Sequence, residues 1–381
     1  MNIALNALSA KAGAGISVLQ NLLPALAELD SKNSYYILVS ENQKDIIDFT
    51  PKNFHVLVLK NAPSNPYFRV LYEQLVLPIV FHKHKIDLLY SVGNTTVLFA
   101  PCKVLLFIEN SNPFTKVVSN WSFKEKLRNK LLFYLTKLSA LKADKIRFCS
   151  ERSRDIICKM LNIPIEKTFV VYHGINIKEF VKEELSPPFS FNYILGLSVV
   201  APHKNFEILI NAFYILKKEF NYNGKLVIVG DKCYEDYYRK LLRMIENKSL
   251  NKDIVFTGKI NHPEIYKFYK YADLFVFPSL EETFGIPLIE ALIAGVPVVA
   301  SDGIKYPDFF IPFNELSGEE VIFFDPYSEK DLVEKIRYVL DNDEVRKQFN
   351  VRADFYRNKF DIQNIAKLLT EKFNKFGEAK L

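Results

Sequence analysis

Glycine is scarce, at 13 of 381 residues, and proline adds only 18, which excludes collagenous, low-complexity and largely disordered chains. Cysteine is scarcer still. Cys102, Cys149, Cys158 and Cys233 are irregularly spaced with no C-x-x-C pair, leaving neither a disulfide framework nor a zinc site and fitting a reducing cytosol. The six histidines are scattered and show no metal-ligand spacing. No apolar run is long enough for a membrane-crossing helix, because the greasiest stretches are broken by Pro78 and His82, by Lys137 or by Glu290. Met1-Asn2-Ile3-Ala4-Leu5 lacks the basic region and cleavage site of a signal peptide and reads as a first strand, so export is not expected. No short-period repeat supports a solenoid. What is present, 49% hydrophobic and 25% charged residues, is the balance of a soluble protein with sizeable cores. At roughly 100–200 residues per domain, two domains are expected.

The formal charge of +6 is shared unevenly. Residues 1–175 hold 22 Lys+Arg against 13 Asp+Glu, and the remainder holds 28 against 31. Residues 116–147 alone carry Lys116, Lys124, Lys126, Arg128, Lys130, Lys137, Lys142, Lys145 and Arg147 against Glu125 and Asp144. Trp121, Phe123, Leu127, Leu131, Leu132, Phe133, Leu135 and Leu138 are interleaved with them. Apolar spacing of three and four predicts a helix with one greasy face and a cationic rim. Such a helix can dock on an anionic leaflet, at about 1 kcal/mol per basic residue near the surface, or it can be a core helix with a solvated basic face. No nucleic-acid reader motif accompanies the charge, and nucleic acid is not an expected partner.

Short apolar runs alternate with amphipathic stretches from the first residue, the pattern of parallel βα units. In a first copy, strands are expected at Asn2–Leu8, Tyr35–Ser40, Phe54–Leu59, Asp87–Ser91, Lys103–Ile108, Lys145–Ser150 and Phe169–Tyr172, with helices such as Ser17–Leu29 and Phe68–His82 between them. A second copy runs through Tyr193–Ser198, Leu226–Gly230, Ile254–Thr257, Leu274–Phe277 and Val296–Ala300. The charged, proline-rich EELSPP stretch between them reads as a linker. The expected division is therefore a domain over 1–182, a linker over 183–191 and a second domain over 192–360. Ligands of open parallel sheets sit beyond the carboxyl ends of the strands, so two such domains are expected to put their functional loops across a shared cleft.

The most informative stretch is FPSLEETFGIPLIEAL, residues 277–292. It follows an apolar strand and opens a helix at Pro287, where a missing N–H costs nothing. Amides from about Phe284 to Ile289 then lack intrahelical partners, and with the positive end of the helix dipole they suit a phosphate or diphosphate. Glu290 is placed in the first turn, within reach of sugar hydroxyls, and Glu282 on the preceding loop. A Glu near a helix N-terminus is also favourable for dipole reasons alone. The pair in the frame P-S-x-x-E-x-F-G-x-P-x-x-E-A is more specific.

On that frame the chain resembles the retaining glycosyltransferases of family 4 (glycosyl transferases group 1), in which it is the E-x7-E motif. The resemblance implies an α/β protein of the GT-B fold, two Rossmann-like doubly wound domains with a C-terminal segment, 361–381, crossing back onto the first. It also implies that Glu282 contacts donor-sugar hydroxyls, Glu290 the ribose hydroxyls, and the amides of Phe284, Gly285 and Ile286 the phosphates. The residues Ala201-Pro202-His203-Lys204-Asn205 place a lysine at the carboxyl edge of the second domain's first strand, where an ammonium can stabilise a departing diphosphate. By itself Lys204 also reads as a solvated lysine at a helix start, but its setting looks like the family's phosphate-binding lysine. The family usually has an Arg five residues earlier, and Val199 stands there.

Near the N-terminus the loop KAGAGIS (11–17) joins the first strand to the first helix, and it fails the dinucleotide fingerprint because Val18 stands where Gly or Ala is required. In the resembling family this loop lies beneath the donor phosphates, which makes Gly13 and Gly15 donor-site candidates, a tight structural turn being the alternative. Many relatives carry a sugar-contacting His near the strand end at 106–114. None is present here, and Glu109 and Asn110 can hydrogen-bond a hydroxyl, with Asn110 taken as the sugar contact. His173 matches a hinge loop of the family and reads as structural. Asp341-Asn342-Asp343 matches the D-x-D of metal-dependent sugar transferases, yet it separates two helical stretches and Asp343 reads as a cap.

The expected function is therefore a retaining hexosyl-type glycosyltransferase with Lys204 and Glu282 as catalytic residues. It needs no metal and no cofactor beyond the nucleotide-diphosphate sugar. The expected acceptor is a glycan, lipid-linked, in bacterial-type surface polysaccharide, O-antigen or glycoconjugate synthesis. The expected place is the cytoplasm, peripheral on the inner face of the membrane through 116–147. Alternatives are a GT-B-fold epimerase or phosphorylase and a noncatalytic nucleotide-sugar-binding subunit.

Overall fold

The computed structural model describes residues 1–10, 18–46, 51–110, 112–114, 123–182, 185–280, 282, 284–302 and 321–378. They form two compact units, Met1–Gly174 with Phe360–Leu381, and Ile175–Lys359.

In the first unit the elements are β1 (Asn2–Asn6), α1 (Leu23–Leu29), β2 (Ser34–Ser40), β3 (Phe54–Leu59), α2 (Pro66–Lys83), β4 (Leu88–Val92), β5 (Lys103–Ile108), α3 (Phe123–Lys142), β6 (Lys145–Phe148), α4 (Glu151–Leu161) and β7 (Thr168–Val170). Among the described residues the sheet runs β3-β2-β1-β4-β5-β6-β7, and its pairings are parallel. The helix expected over Ser17–Leu29 is split, with a π-helical turn over Val18–Leu22 ahead of α1. Pro24 in the first turn of α1 has no N–H to continue a regular ladder.

The second unit holds α5 (Ile177–Phe180), β8 (Tyr193–Leu197), α6 (Phe206–Glu219), β9 (Lys225–Val229), α7 (Glu235–Asn247), β10 (Ile254–Gly258), α8 (His262–Lys270), β11 (Leu274–Phe277), α9 (Ile286–Ala294), β12 (Val298–Ser301), β13 (Ile322–Phe324), α10 (Glu329–Leu340) and α11 (Asp343–Lys359). Its sheet is again parallel, in the order β10-β9-β8-β11-β12-β13. Strands covered on both faces read as unbroken apolar runs. All of β8 (YILGL) and all of β11 (LFVF) are buried accordingly. Helix packing around Phe206, Leu209, Phe213, Leu241 and Ile336 closes the core.

The last helix, α12 (Ile362–Glu378), belongs to the first unit. It buries Ala366, Leu369 and Phe373, and the Phe373 ring meets Tyr90 of β4 edge-on at 5.4 Å. Its carbonyls at Phe376 and Gly377 accept from Lys103 Nζ at 3.0 and 3.3 Å. Asn33 Nδ2 donates to Asn374 Oδ1 at 2.8 Å.

Candidate functional site

In the second sheet the order reverses between β8 and β11, which are themselves paired. Loops that leave two such strands in opposite directions open a crevice at their carboxyl ends, where open parallel sheets bind ligands. The loop after β8 ends in a short 3-10 turn, Pro202–Lys204, with Asn205 in the left-handed region at φ 54° before α6 begins. The loop after β11 carries Glu282 and leads into α9. The Leu280 N–H donates to the His203 carbonyl at 2.8 Å, joining the two loops.

Across that junction Lys204 Nζ forms an ion pair with Glu282 Oε1, their side chains only 10% and 12% exposed. Removing both charges from water costs several kcal/mol per ion and is offset only by close pairing, so each holds the other at the sheet edge. Burial and the neighbouring Lys204 ammonium push the His203 imidazole down to about 4 against the pull of Glu282, leaving it neutral at pH 7. Ser279 on the same loop is 1% exposed, and its hydroxyl has no hydrogen-bond partner among the described residues.

Helix α9 begins at Ile286, one residue before the expected start, so Glu290 lies in its second turn rather than its first. The cause is Gly285, which occupies the N-cap at a left-handed φ of 77° and accepts the Leu288 N–H at 2.9 Å. First-turn amides have no intrahelical acceptor, so those of Gly285 and Ile286 belong to the opening of this helix. The Phe284 side chain is buried behind it.

Glu290 is 3% exposed and already engaged. His262 Nε2 lies 2.8 Å from Oε1 and Tyr269 Oη 3.1 Å from Oε2. The hydrogen bond to Glu290 raises the His262 pKa, with burial pulling the other way. Phe180 packs on the imidazole at 5.5 Å between centroids. Neither His262 nor Tyr269 was marked by any motif. They come from α8, and only the fold brings them to α9.

In the first sheet the reversal falls between β1 and β4. In the loop after β1, residues 11–17, with Gly13 and Gly15, lie outside the described residues. After β5, the exposed Asn110 is held by its backbone: Asn94 Oδ1 accepts its N–H at 2.9 Å and Asn94 Nδ2 donates to its carbonyl at 2.7 Å. Burial pushes the Glu109 carboxyl up to about 7, opposed by Arg147. Arg147, 2% exposed, donates to the Val171 and Tyr172 carbonyls and lies 4.2 Å from the Phe107 ring. Burial and then Arg147 push His173 down to about 3. A cavity of about 240 Å³ at the carboxyl ends of β1 and β2 is lined by Leu8, Ala10, Ser40, Asn42, Gln43 and Arg69, among others.

The D-x-D carboxylates lie outside this constellation. Asp343 pairs with Arg346 and Asp341 with Arg337. The cap of α11 is Asn342 rather than Asp343, since Asn342 Oδ1 accepts the N–H groups of Glu344 and Val345 at 3.2 and 3.3 Å, while Asp343 is already the first helical residue. Among the described residues no three or more His, Cys, Asp and Glu converge on a metal-holding point. No helix among them is long and apolar enough to cross a membrane.

The family described as glycosyl transferases group 1 matches residues 177–354, a stretch within the second unit that includes Lys204, Glu282 and Glu290. The O-antigen chain mannosyltransferase RfbU of Salmonella typhimurium is 24% identical over 84% of this chain and 85% of its own. A Campylobacter jejuni relative is 24% identical over 93% of this chain and 94% of its own. It is named N-acetylgalactosamine-N,N'-diacetylbacillosaminyl-diphospho-undecaprenol 4-alpha-N-acetylgalactosaminyltransferase. Among solved structures, sucrose-phosphate synthase from Thermosynechococcus elongatus superposes with a TM-score of 0.80 at 17% identity, covering all of both chains. The structural likeness shows the GT-B fold, and the family match with these relatives supports a glycosyltransferase.

Proposed function

We propose that the protein is a retaining glycosyltransferase that moves a sugar from a nucleotide-diphosphate donor to a lipid-linked glycan acceptor in surface-polysaccharide or O-antigen synthesis. The observation that carries this reading is the Lys204–Glu282 pair on the loops after β8 and β11, next to the opening of α9. When the donor binds, its diphosphate takes the position facing the Lys204 ammonium and the amides of Gly285 and Ile286. Glu282, released from part of its pairing, accepts from donor-sugar hydroxyls. The bond between the anomeric carbon and the phosphate oxygen breaks, and the negative charge that grows on the leaving group is met by groups already in place. The acceptor oxygen bonds to the anomeric carbon on the same face, and its proton passes to the departing phosphate. No metal ion or further cofactor is needed in this scheme. Glu290 holds the ribose.

The names of the two relatives favour this acceptor class, since one is an O-antigen chain enzyme and the other acts in the alpha configuration on a diphospho-undecaprenol-linked sugar. Residues 116–147 would bring the enzyme to the inner, anionic face of the membrane where such acceptors reside.

The test is a thermal-shift screen of nucleoside diphosphates and nucleotide sugars, followed by product and anomer analysis on lipid-linked acceptors. A nucleoside diphosphate should raise Tm and Lys204→Ala should abolish that rise. No shift with any nucleotide would reject the reading.

A further inference from the structure

Five apolar side chains stand in solvent along one side of α2: Tyr67, Phe68, Leu71, Leu75 and Ile79, each 54–68% exposed. At about 100° per residue they share a sector of about 120° that contains no Asp, Glu, Lys or Arg. A second stripe runs along α3, where Phe123, Leu127, Leu131, Tyr134, Leu138 and Leu141 are 41–81% exposed and fall within a sector of about 80°. Cations border that stripe on both edges: Lys124, Arg128 and Lys142 on one, Lys126, Lys130 and Lys137 on the other. None of the six has a carboxylate partner among the described residues.

Both helices grip one segment of chain. Gln74 of α2 donates to the Thr96 carbonyl at 3.1 Å and accepts the Leu98 N–H at 2.8 Å, while the Thr96 N–H donates to Ser139 Oγ of α3 at 3.1 Å. The next residue, Phe99, is 76% exposed, and Lys142 Nζ stands 5.7 Å from its ring. A soluble chain rarely leaves this much apolar surface in water without a use for it.

We infer that α2, Phe99 and α3 form one docking surface for an anionic bilayer, with the uncharged stripe of α2 entering the acyl-chain boundary while the lysine borders of α3 meet the headgroups. This rests on, and extends, the peripheral contact proposed through 116–147. The charge selects the occupant. Two copies of this face set against each other would bring their cationic borders together, whereas an anionic leaflet complements them and accepts the apolar side chains as well.

The test uses the full chain with phosphatidylcholine vesicles containing or lacking phosphatidylglycerol. Leu75→Ser/Ile79→Ser should lower binding to the anionic vesicles roughly tenfold or more with Tm unchanged. Trp121 is the one tryptophan of the chain. In a Trp121→Phe background, Leu75→Trp should therefore show a blue-shifted emission on those vesicles, reporting α2 insertion directly. Undiminished binding of the double Ser variant, or no emission shift, overturns the α2 assignment. Loss of binding in Lys130→Glu/Lys137→Glu alone would then confine docking to α3. A wild-type protein that ignores both vesicle types overturns the membrane reading entirely, while nucleotide binding and transfer would be unaffected. A dimer dispersed by Leu75→Ser/Ile79→Ser assigns the face to a second copy and overturns the proposal.

Discussion

His262, on the first residue of α8, lies 2.8 Å from Glu290 in the second turn of α9, and the two are 28 positions apart in the chain. The imidazole is about half exposed and the carboxylate buried, so solvent reaches the pair from the histidine side. Because the hydrogen bond to Glu290 is the first cause of the raised His262 pKa, protonation and pairing reinforce each other.

This pairing predicts a pH effect. The stabilising contribution of a histidine with a raised folded pKa is fully present below its unfolded value, 6.5, and is lost as pH rises through the folded value. Wild type should therefore have a higher Tm than His262→Ala at acidic pH, the gap closing above neutrality. The same deprotonation weakens the hold on Glu290, so donor KM should fall with rising pH in wild type and be flatter in His262→Ala, with kcat little changed. Parallel profiles in the two proteins would disconnect His262 from donor binding.

Replacing Lys204 by Ala removes the cation from the crevice edge and leaves Glu282 without its partner. Turnover should fall roughly 10²–10³-fold, the loss typical of one electrostatic donor. Steady-state kinetics with a saturating donor measure it, and an unchanged kcat would take Lys204 out of the chemistry.

Glu109 predicts a stability window of its own. Its carboxyl is pushed from 4.5 up to about 7 by burial, so the folded state keeps a proton that the unfolded chain releases. Its contribution is full below 4.5 and is lost as pH rises toward about 7. Glu109→Gln should abolish that loss, seen as a smaller drop in Tm between these pH values than in wild type.

Gly230 follows β9 at a point where a Cβ would lie 1.8 Å from the Ser198 carbonyl oxygen. The obstacle is backbone, on the loop that leads to Lys204. Gly230→Ala should displace that loop, lowering Tm and donor affinity together, whereas an innocent Tm with normal nucleotide binding would show that the loop can yield.

Phe373→Ala should destabilise the first unit by about 3–5 kcal/mol, as for a fully buried aromatic side chain. Denaturant unfolding followed by Tyr90 and its neighbours in the first sheet would register it.

The strands were legible because parallel strands with both faces covered must be apolar throughout, and β8 and β11 are marked in this way. β13, with three residues, Ile322–Phe324, is too short for periodicity to register. Lys204 and Glu282 could be singled out because each sits in a local frame of strand, turn and helix start. Their ion pair, the engagement of Glu290 by His262 and Tyr269, and the grip of Asn94 on Asn110 could not be read, because each joins loops or helices brought together only by sheet order. The helix start at Ile286 and the cap at Asn342 differ by single residues from expectation, the scale on which a left-handed glycine or a side-chain oxygen decides where a helix begins.

Because the chain leaves the first unit at Gly174 and rejoins it at Phe360, one unit is inserted within the other. During synthesis the inserted unit emerges before α12, whereas the enclosing sheet must wait for α12 before Tyr90 and Asn33 find their partners in it. A chain cut before α12 would thus keep the inserted unit whole and leave an open, greasy flank on the other.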